Sequence, residues 1–395
     1  MCVHILTSPV RQANRFNYDL ASGKTLPLWL CITFLDAGKT TVLILPWLEM
    51  QHKYRHLAQV YNVTCEVWSP NNPLVTSRPQ LLLVAAESGG WEALKGQLRA
   101  LISSDELARI VIKHAHLLVK DPGWHRCCEL LQEFDASQAC VVLVTATLPC
   151  HLEQPLFQSI GRPIHRILRH RTESASVTHS AIALTSMAFE TIARFKIMMS
   201  VSRLTPPERA VVVCLSNTAC EHMAEKLSWV TYHASTSAAD RASHLEQWRS
   251  GACGGIVTTY QLINCFDCDN VRVVFHLGIP PDSIDYMQAV GCVSQNSHGE
   301  SIIYFNPTEC QQTTGDDPFG KGPIHDGLAT SNSCRNIRIL FFLEGVASSC
   351  TMLLGRAFCD VCQEEMDNYR SHSSSESLIG SLGRMPSFPS TYGGR

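Results

Sequence analysis

Residues Arg109–Leu117 read RIVIKHAHL. Ile110, Val111 and Ile112 are β-branched and favour a strand. The run stops at Lys113-His114-Ala115-His116, so by itself the stretch reads as a strand ending in a basic turn. Its surroundings repeat the pattern. Strands are expected at Thr41–Pro46, Leu81–Ala85, Ile110–Ile112 and Cys140–Thr145, with helices at Trp47–Tyr61, Trp91–Ser103 and Trp124–Phe134 between them. After a basic connector, IGRPIHRILRHRT (Ile160–Thr172), a second set begins with strand Ala210–Leu215, helix Thr218–Leu227, strand Trp229–His233 and helix Ala238–Arg249. It continues with strands Gly255–Thr259 and Val271–His276, helix Ser283–Val290 and strand Ser301–Phe305. Alternation of this kind is the signature of parallel α/β domains. The fold class read from it is α/β, two tandem parallel-sheet domains followed by a small cysteine-bearing segment.

The 395 residues have room for two or three domains, and 45% apolar content supplies their cores. A net charge of −3 provides no global attraction to nucleic acid, so such binding would need a local basic face. The longest apolar stretch, Leu26–Leu35, is too short to span a bilayer. The opening MCVHILTSPVRQ lacks the layout of a secretory leader, so an intracellular location without membrane is expected. Most of the 18 cysteines, such as Cys31, Cys140 and Cys214, stand singly in apolar runs and read as small core residues.

Two Gly-Lys-Thr triplets compete for a phosphate loop, which needs backbone amides at a helix N-terminus, a lysine for the phosphates and a hydroxyl for Mg²⁺. Gly38-Lys39-Thr40 runs directly into the strand TVLILP and reads as a turn. Gly23-Lys24-Thr25 precedes a stretch long enough for a helix and is the better candidate, although the preceding NYDLAS contains no glycine. Four cysteines near the end, Cys334, Cys350, Cys359 and Cys362, have the spacing C-x15-C-x8-C-x2-C. Four thiolates including a Cys-x-x-Cys pair suit a structural tetrahedral zinc.

In order, ASGKT (motif I), VLILPWLEM (Ia), LLLVAAES around Glu87, IVIKHAHLL (II), VLVTATLP (III), VVVCLSN (IV), GIVTTYQLINCFDCDNVRVVFHLGIP (V) and SIDYMQAVGCVSQNSHG (VI) resemble the RecQ family of DNA helicases, most closely divergent fungal members. The cysteine module stands where that family has a zinc-binding platform. The resemblance implies two RecA-like domains of superfamily 2, ATP and Mg²⁺ as cofactors, zinc as structural metal, DNA (single-stranded or fork-like) as partner, 3′–5′ unwinding and the nucleus as location. It divides the chain into an ATP-binding half (1–165), a C-terminal half (166–308), a linker (309–333), the zinc segment (334–366) and a disordered Ser/Gly-rich tail (367–395). It assigns nucleotide contacts to Gly23, Lys24 and Thr25. DNA contacts fall on Thr145, Thr147 and Thr259, with Arg162, Arg166, Arg169 and Arg171 as a basic strip. Asp267 is the motif V acid. Trp124 lies near the family's aromatic-rich loop, but its plainer reading is a core side chain.

The departures concern catalysis. Motif II should read Asp-Glu-Ala-His, the acids serving Mg²⁺ and water; Lys113 and His114 occupy their places and only His116 matches. Motif VI retains Gln288 and Gly291, but Cys292 and Gln295 stand at its arginine positions. One such arginine is typically worth about 10³ in rate or more. The expectation is therefore a degenerate RecQ-like protein that binds DNA, and ATP weakly, with hydrolysis lost or very weak. The alternatives are an active helicase borrowing an acid such as Asp121 or Glu87, and a non-catalytic zinc scaffold. A decayed copy with a barely stable product is a further option.

Overall fold

All six residues of strand β2 (Thr40–Leu45) are buried, because a central parallel strand is covered by helices on both faces. The computed structural model describes residues 2–6, 32, 38–71, 78–134, 139–162, 166–170, 177–185, 188–265, 270–293, 298–309, 317–330, 332–352 and 357–379. Gly23, Lys24 and Thr25 lie outside them, as do Arg171, Asp267 and Gln295.

The first half contains β1 (Cys2–Leu6), β2, α1 (Glu49–Val60), β3 (Cys65–Val67), β4 (Leu81–Ala85), α2 (Trp91–Ser103) and β5 (Leu107–Lys113). It continues through α3 (Leu117–Lys120), α4 (His125–Glu133), β6 (Val141–Thr145), α5 (Glu153–Ile160) and β7 (Arg166–His170). Its sheet runs β3-β4-β2-β5-β6-β1-β7. The five strands from β3 to β6 pair in parallel, and β1 enters antiparallel to both β6 and β7.

The second half comprises β8 (Val177–Ala183), α6 (Phe189–Val201), β9 (Arg209–Cys214), α7 (Asn217–Leu227), β10 (Val230–Tyr232), α8 (Ala238–Ser250) and β11 (Gly255–Thr259). After it come β12 (Val271–Leu277), α9 (Ser283–Val290) and β13 (Gly299–Phe305). Its six strands are all parallel, in the order β10-β11-β9-β12-β13-β8. Side chains of both halves, among them Leu43, Ile112, Val211, Ile284 and Phe342, share one buried apolar cluster. A second cluster, around Phe275, lies within the second half.

Three segments depart from the sequence reading. Arg166–His170, taken as connector within the second half, is an edge strand of the first sheet; its alternating RILRH leaves Arg166, Ile167 and Leu168 exposed. The expected linker contains a π-helical segment, Pro323–Ala329, which buries Ile324 and Leu328. After it come α10 (Arg335–Glu344) and α11 (Asp360–Ile379), the latter running 13 residues past the expected end of the cysteine segment at 366. The turn reading of Gly38-Lys39-Thr40 agrees with the structure. Gly38 has φ +84°, Lys39 pairs with Asp105 at 2.7 Å, and Thr40 opens β2.

Candidate functional seam and metal centre

Parallel strands put their C-terminal ends on one rim, where α/β proteins bind ligands. On the first sheet β5 brings Lys113 to that rim, and the chain then turns through His114 at φ +56°, a left-handed conformation uncommon outside glycine. The ring of His114 lies 6.0 Å from Trp47 and 5.8 Å from His116. His116 is buried, and its Nδ1 lies 2.8 Å from Thr145 Oγ1. Burial, helped by the Lys120 ammonium, pushes the His116 imidazole down to about 3. The histidine expected to match motif II is thus a neutral ring tied to Thr145.

Thr147, two residues on, accepts a hydrogen bond from Gln288 Nε2 of α9 in the other half. Of the three threonines assigned to DNA, Thr145 and Thr147 are buried with protein partners on their hydroxyls. Thr259 closes β11 and is buried. Cys292 faces the carbonyl of Ile263 at 3.3 Å. Arg169 pairs with Glu153 and donates to the Leu148 carbonyl, whereas buried Arg162 donates to the carbonyls of Phe134 and Ala139. Arg166 is exposed on β7, so the expected basic strip is divided among different tasks. Trp124 is a core residue. Of the acids considered as substitutes, Asp121 accepts from Gly123 N at 2.8 Å, and Glu87 accepts from Leu48 N at 2.5 Å. Burial holds Glu87 above the usual carboxylate range.

Three ion pairs across the seam were not legible in the sequence. Lys120, at the end of α3, lies 2.8 Å from Asp282 and also contacts Asp285. Asp282 caps α9 by accepting from Asp285 N at 2.9 Å. Burial and the Asp282 carboxylate hold Asp285 above the usual range, against the pull of Lys120. On another part of the seam Arg241 of α8 pairs with Glu49 of α1. The partners are separated by 162, 165 and 192 residues, and no local pattern marks them.

The four predicted metal cysteines converge. Their sulfur atoms all lie within 4.8 Å of one another, with Cys334 and Cys350 3.4 Å apart and Cys334 and Cys359 3.9 Å apart. Tetrahedral zinc with four thiolates sets sulfur separations of about 3.8 Å. Donors already point at the sulfurs: Asn336 Nδ2 lies 3.0 Å from Cys350, and the amides of Cys350, Arg335 and Cys359 lie 3.3–3.4 Å from Cys334, Cys359 and Cys350. Such donors stabilise sulfur anions, as a metal-thiolate site requires. Burial pushes Cys362 up to about 12, so metal loading must displace its proton. The set fits a four-sulfur metal site with no position left for water.

The cysteine segment touches both halves. His151 of the first half stacks edgewise on Phe342 at 5.3 Å. Asp360 holds Arg335 and accepts from Ala181 N of β8.

Residues 193–294 match the helicase conserved C-terminal domain. A stretch of 105 residues is 30% identical to the ATP-dependent DNA helicase hus2/rqh1 of Schizosaccharomyces pombe, covering 25% of this chain and 8% of that protein. The resemblance is to RecQ-like helicases of superfamily 2. Among solved structures, Saccharomyces cerevisiae Dbp5 bound to RNA and ADP BeF3 is similar over 89% of this chain and 86% of its own, with TM-score 0.58 and 12% identity. The Mycobacterium smegmatis helicase Lhr bound to ssDNA and AMP-PNP matches over 72% of this chain and 42% of its own, with TM-score 0.55 and 16% identity. At these identities the two structures speak for the fold, a tandem RecA-like pair. This chain spans a small part of hus2/rqh1 and less than half of Lhr. No described helix is long and apolar enough to cross a membrane.

Proposed function

We propose that this RecQ-like chain binds DNA across its two helicase domains and hydrolyses ATP very weakly or not at all. The rim of β5 carries the reading. Lys113 and His114 stand at the positions of the two acids, and the one matching member, His116, is neutral and committed to Thr145. Cys292 and Gln295 at the arginine positions remove transition-state charge stabilisation as well. The active-helicase alternative is weakened because Asp121 and Glu87 each hold a backbone amide.

Nucleotide contacts would come from Gly23, Lys24 and Thr25, and zinc would be held by Cys334, Cys350, Cys359 and Cys362. Of the DNA contacts expected from the RecQ-like plan (Thr145, Thr147, Thr259, Arg166 and Arg169), exposed Arg166 is the one that the fold leaves on the surface, and the others would have to give up their protein partners or burial to reach DNA. A 3′–5′ sense of any movement and a nuclear location follow from the same plan. DNA is preferred over RNA because the curated relative is a DNA helicase.

The test is ATP turnover by zinc-loaded protein, with and without single-stranded DNA, beside Lys24→Ala. We expect turnover below about 1 per second, the lower end of ordinary enzymes, together with DNA binding seen by fluorescence anisotropy. DNA-stimulated turnover at or above that rate, abolished by Lys24→Ala, would refute the loss of hydrolysis. Folded protein that binds neither DNA nor nucleotide would instead favour the scaffold alternative.

A further inference from the structure

We propose that the chain carries its own electrostatic latch across the seam, with Lys120 of the first half held between Asp282 and Asp285 of the second, and that this latch keeps the two halves closed without nucleotide. The three side chains retain only 14, 11 and 27% of their exposure, so their attraction is weakly screened. The carboxylates at the N-cap (Asp282) and in the first turn (Asp285) of α9 gain from the helix N-terminus but repel each other. A single ammonium from the opposite half relieves that repulsion. If the halves part, both acids are left together on one helix.

The geometry is supported from both sides. Asp282 caps α9 through Asp285 N, a bond internal to the second half that survives opening. Arg241 and Glu49 form the reciprocal pair, cation from the second half and acid from the first, with side chains 14 and 16% exposed. Arg241 also donates to the carbonyls of Ala234 and Thr236, which aim it before Glu49 arrives. Between closed and open, the latch therefore exchanges preorganised ion pairs for solvated ions. The latch biases any equilibrium between closed and open halves toward the closed form. The latch requires neither nucleotide binding nor hydrolysis.

The experiment uses the full, zinc-loaded chain with donor and acceptor dyes on unnatural amino acids at the exposed positions Ala100 and Glu225, because 18 cysteines rule out thiol labelling. Single-molecule energy transfer reads the closed-to-open ratio without nucleotide. Wild-type protein should be mainly closed. Lys120→Gln should lower the ratio by about 10- to 100-fold, since breaking a largely buried pair strands its partners. Lys120→Arg should restore it. Raising monovalent salt from about 50 to about 500 mM should change the wild-type ratio far less than Lys120→Gln does, because the enclosed pairs are weakly screened. Asp285→Asn, which leaves the Asp282 cap in place, should give an intermediate loss and serves if Lys120→Gln fails to fold. An unchanged ratio in the folded variants, or a wild type already open at low salt, overturns the latch.

Discussion

His116 and His276 are both fully enclosed, and burial pushes each imidazole down to about 3. His116 keeps its bond to Thr145, and His276 sits between Tyr260 Oη at 2.8 Å and Ser301 Oγ at 3.1 Å. In the unfolded chain both titrate near 6.5. A histidine whose value is depressed by folding contributes its full share of stability above about 6.5 and loses it as the pH falls toward 3. Each should remove about 1 kcal/mol per pH unit in that window. Urea unfolding at pH ~7.5 and ~5.5 should therefore differ by about 2 kcal/mol. A flat profile would show that these rings are not buried as neutral species. Thr145→Val should leave His116 Nδ1 without its partner and destabilise by about 1–3 kcal/mol, measured the same way.

Three helices of the second half, α7, α8 and α9, begin at polar caps. Ser216 accepts from Ala219 N, Ser237 from Asp240 N and Asp282 from Asp285 N. Replacing Ser237 by Ala should cost about 1 kcal/mol in chemical denaturation. Asp282→Ala should cost more, because it removes a cap and a partner of Lys120 together; equal losses would separate the latch from stability. Gly255 opens β11 against the Trp229 ring, where a Cβ would come within 2.2 Å of a ring carbon. Gly255→Ala should lower stability by about 1–3 kcal/mol through overpacking. Strands such as β4, five apolar residues with all five buried, were readable because a central parallel strand needs apolar residues on both faces. The edge strand β7 was not, since RILRH mixes charge with apolar residues and looks like a connector.

For the whole molecule, the cysteine segment is a fastener as well as a candidate metal site. It meets the first half through His151 and Phe342 and the second through Asp360 and Ala181 N. Removing zinc with a strong chelator should expose residues 334–379 to hydrogen exchange before the two sheets, and lower the midpoint of thermal unfolding. Exchange that stays unchanged around Cys334 and Cys359 after chelation would mean that the cluster is not held by metal. Affinity for zinc should fall as the pH is lowered, because the thiols must release protons to bind.

The alternation of strands and helices, the order of the helicase-like segments, the acids missing before His116 and the four cysteines were all determined by the amino-acid sequence alone. Periodicity, caps and residue chemistry are properties of neighbours along the chain. Only the tertiary structure decided that β1 inserts antiparallel between β6 and β7, that Thr145 and Thr147 are taken by His116 and Gln288, and that Lys120 and Arg241 reach acids in the opposite half. Those pairings join residues up to 192 apart. They arise from how the buried faces of two sheets come together, and no local period in the chain records that.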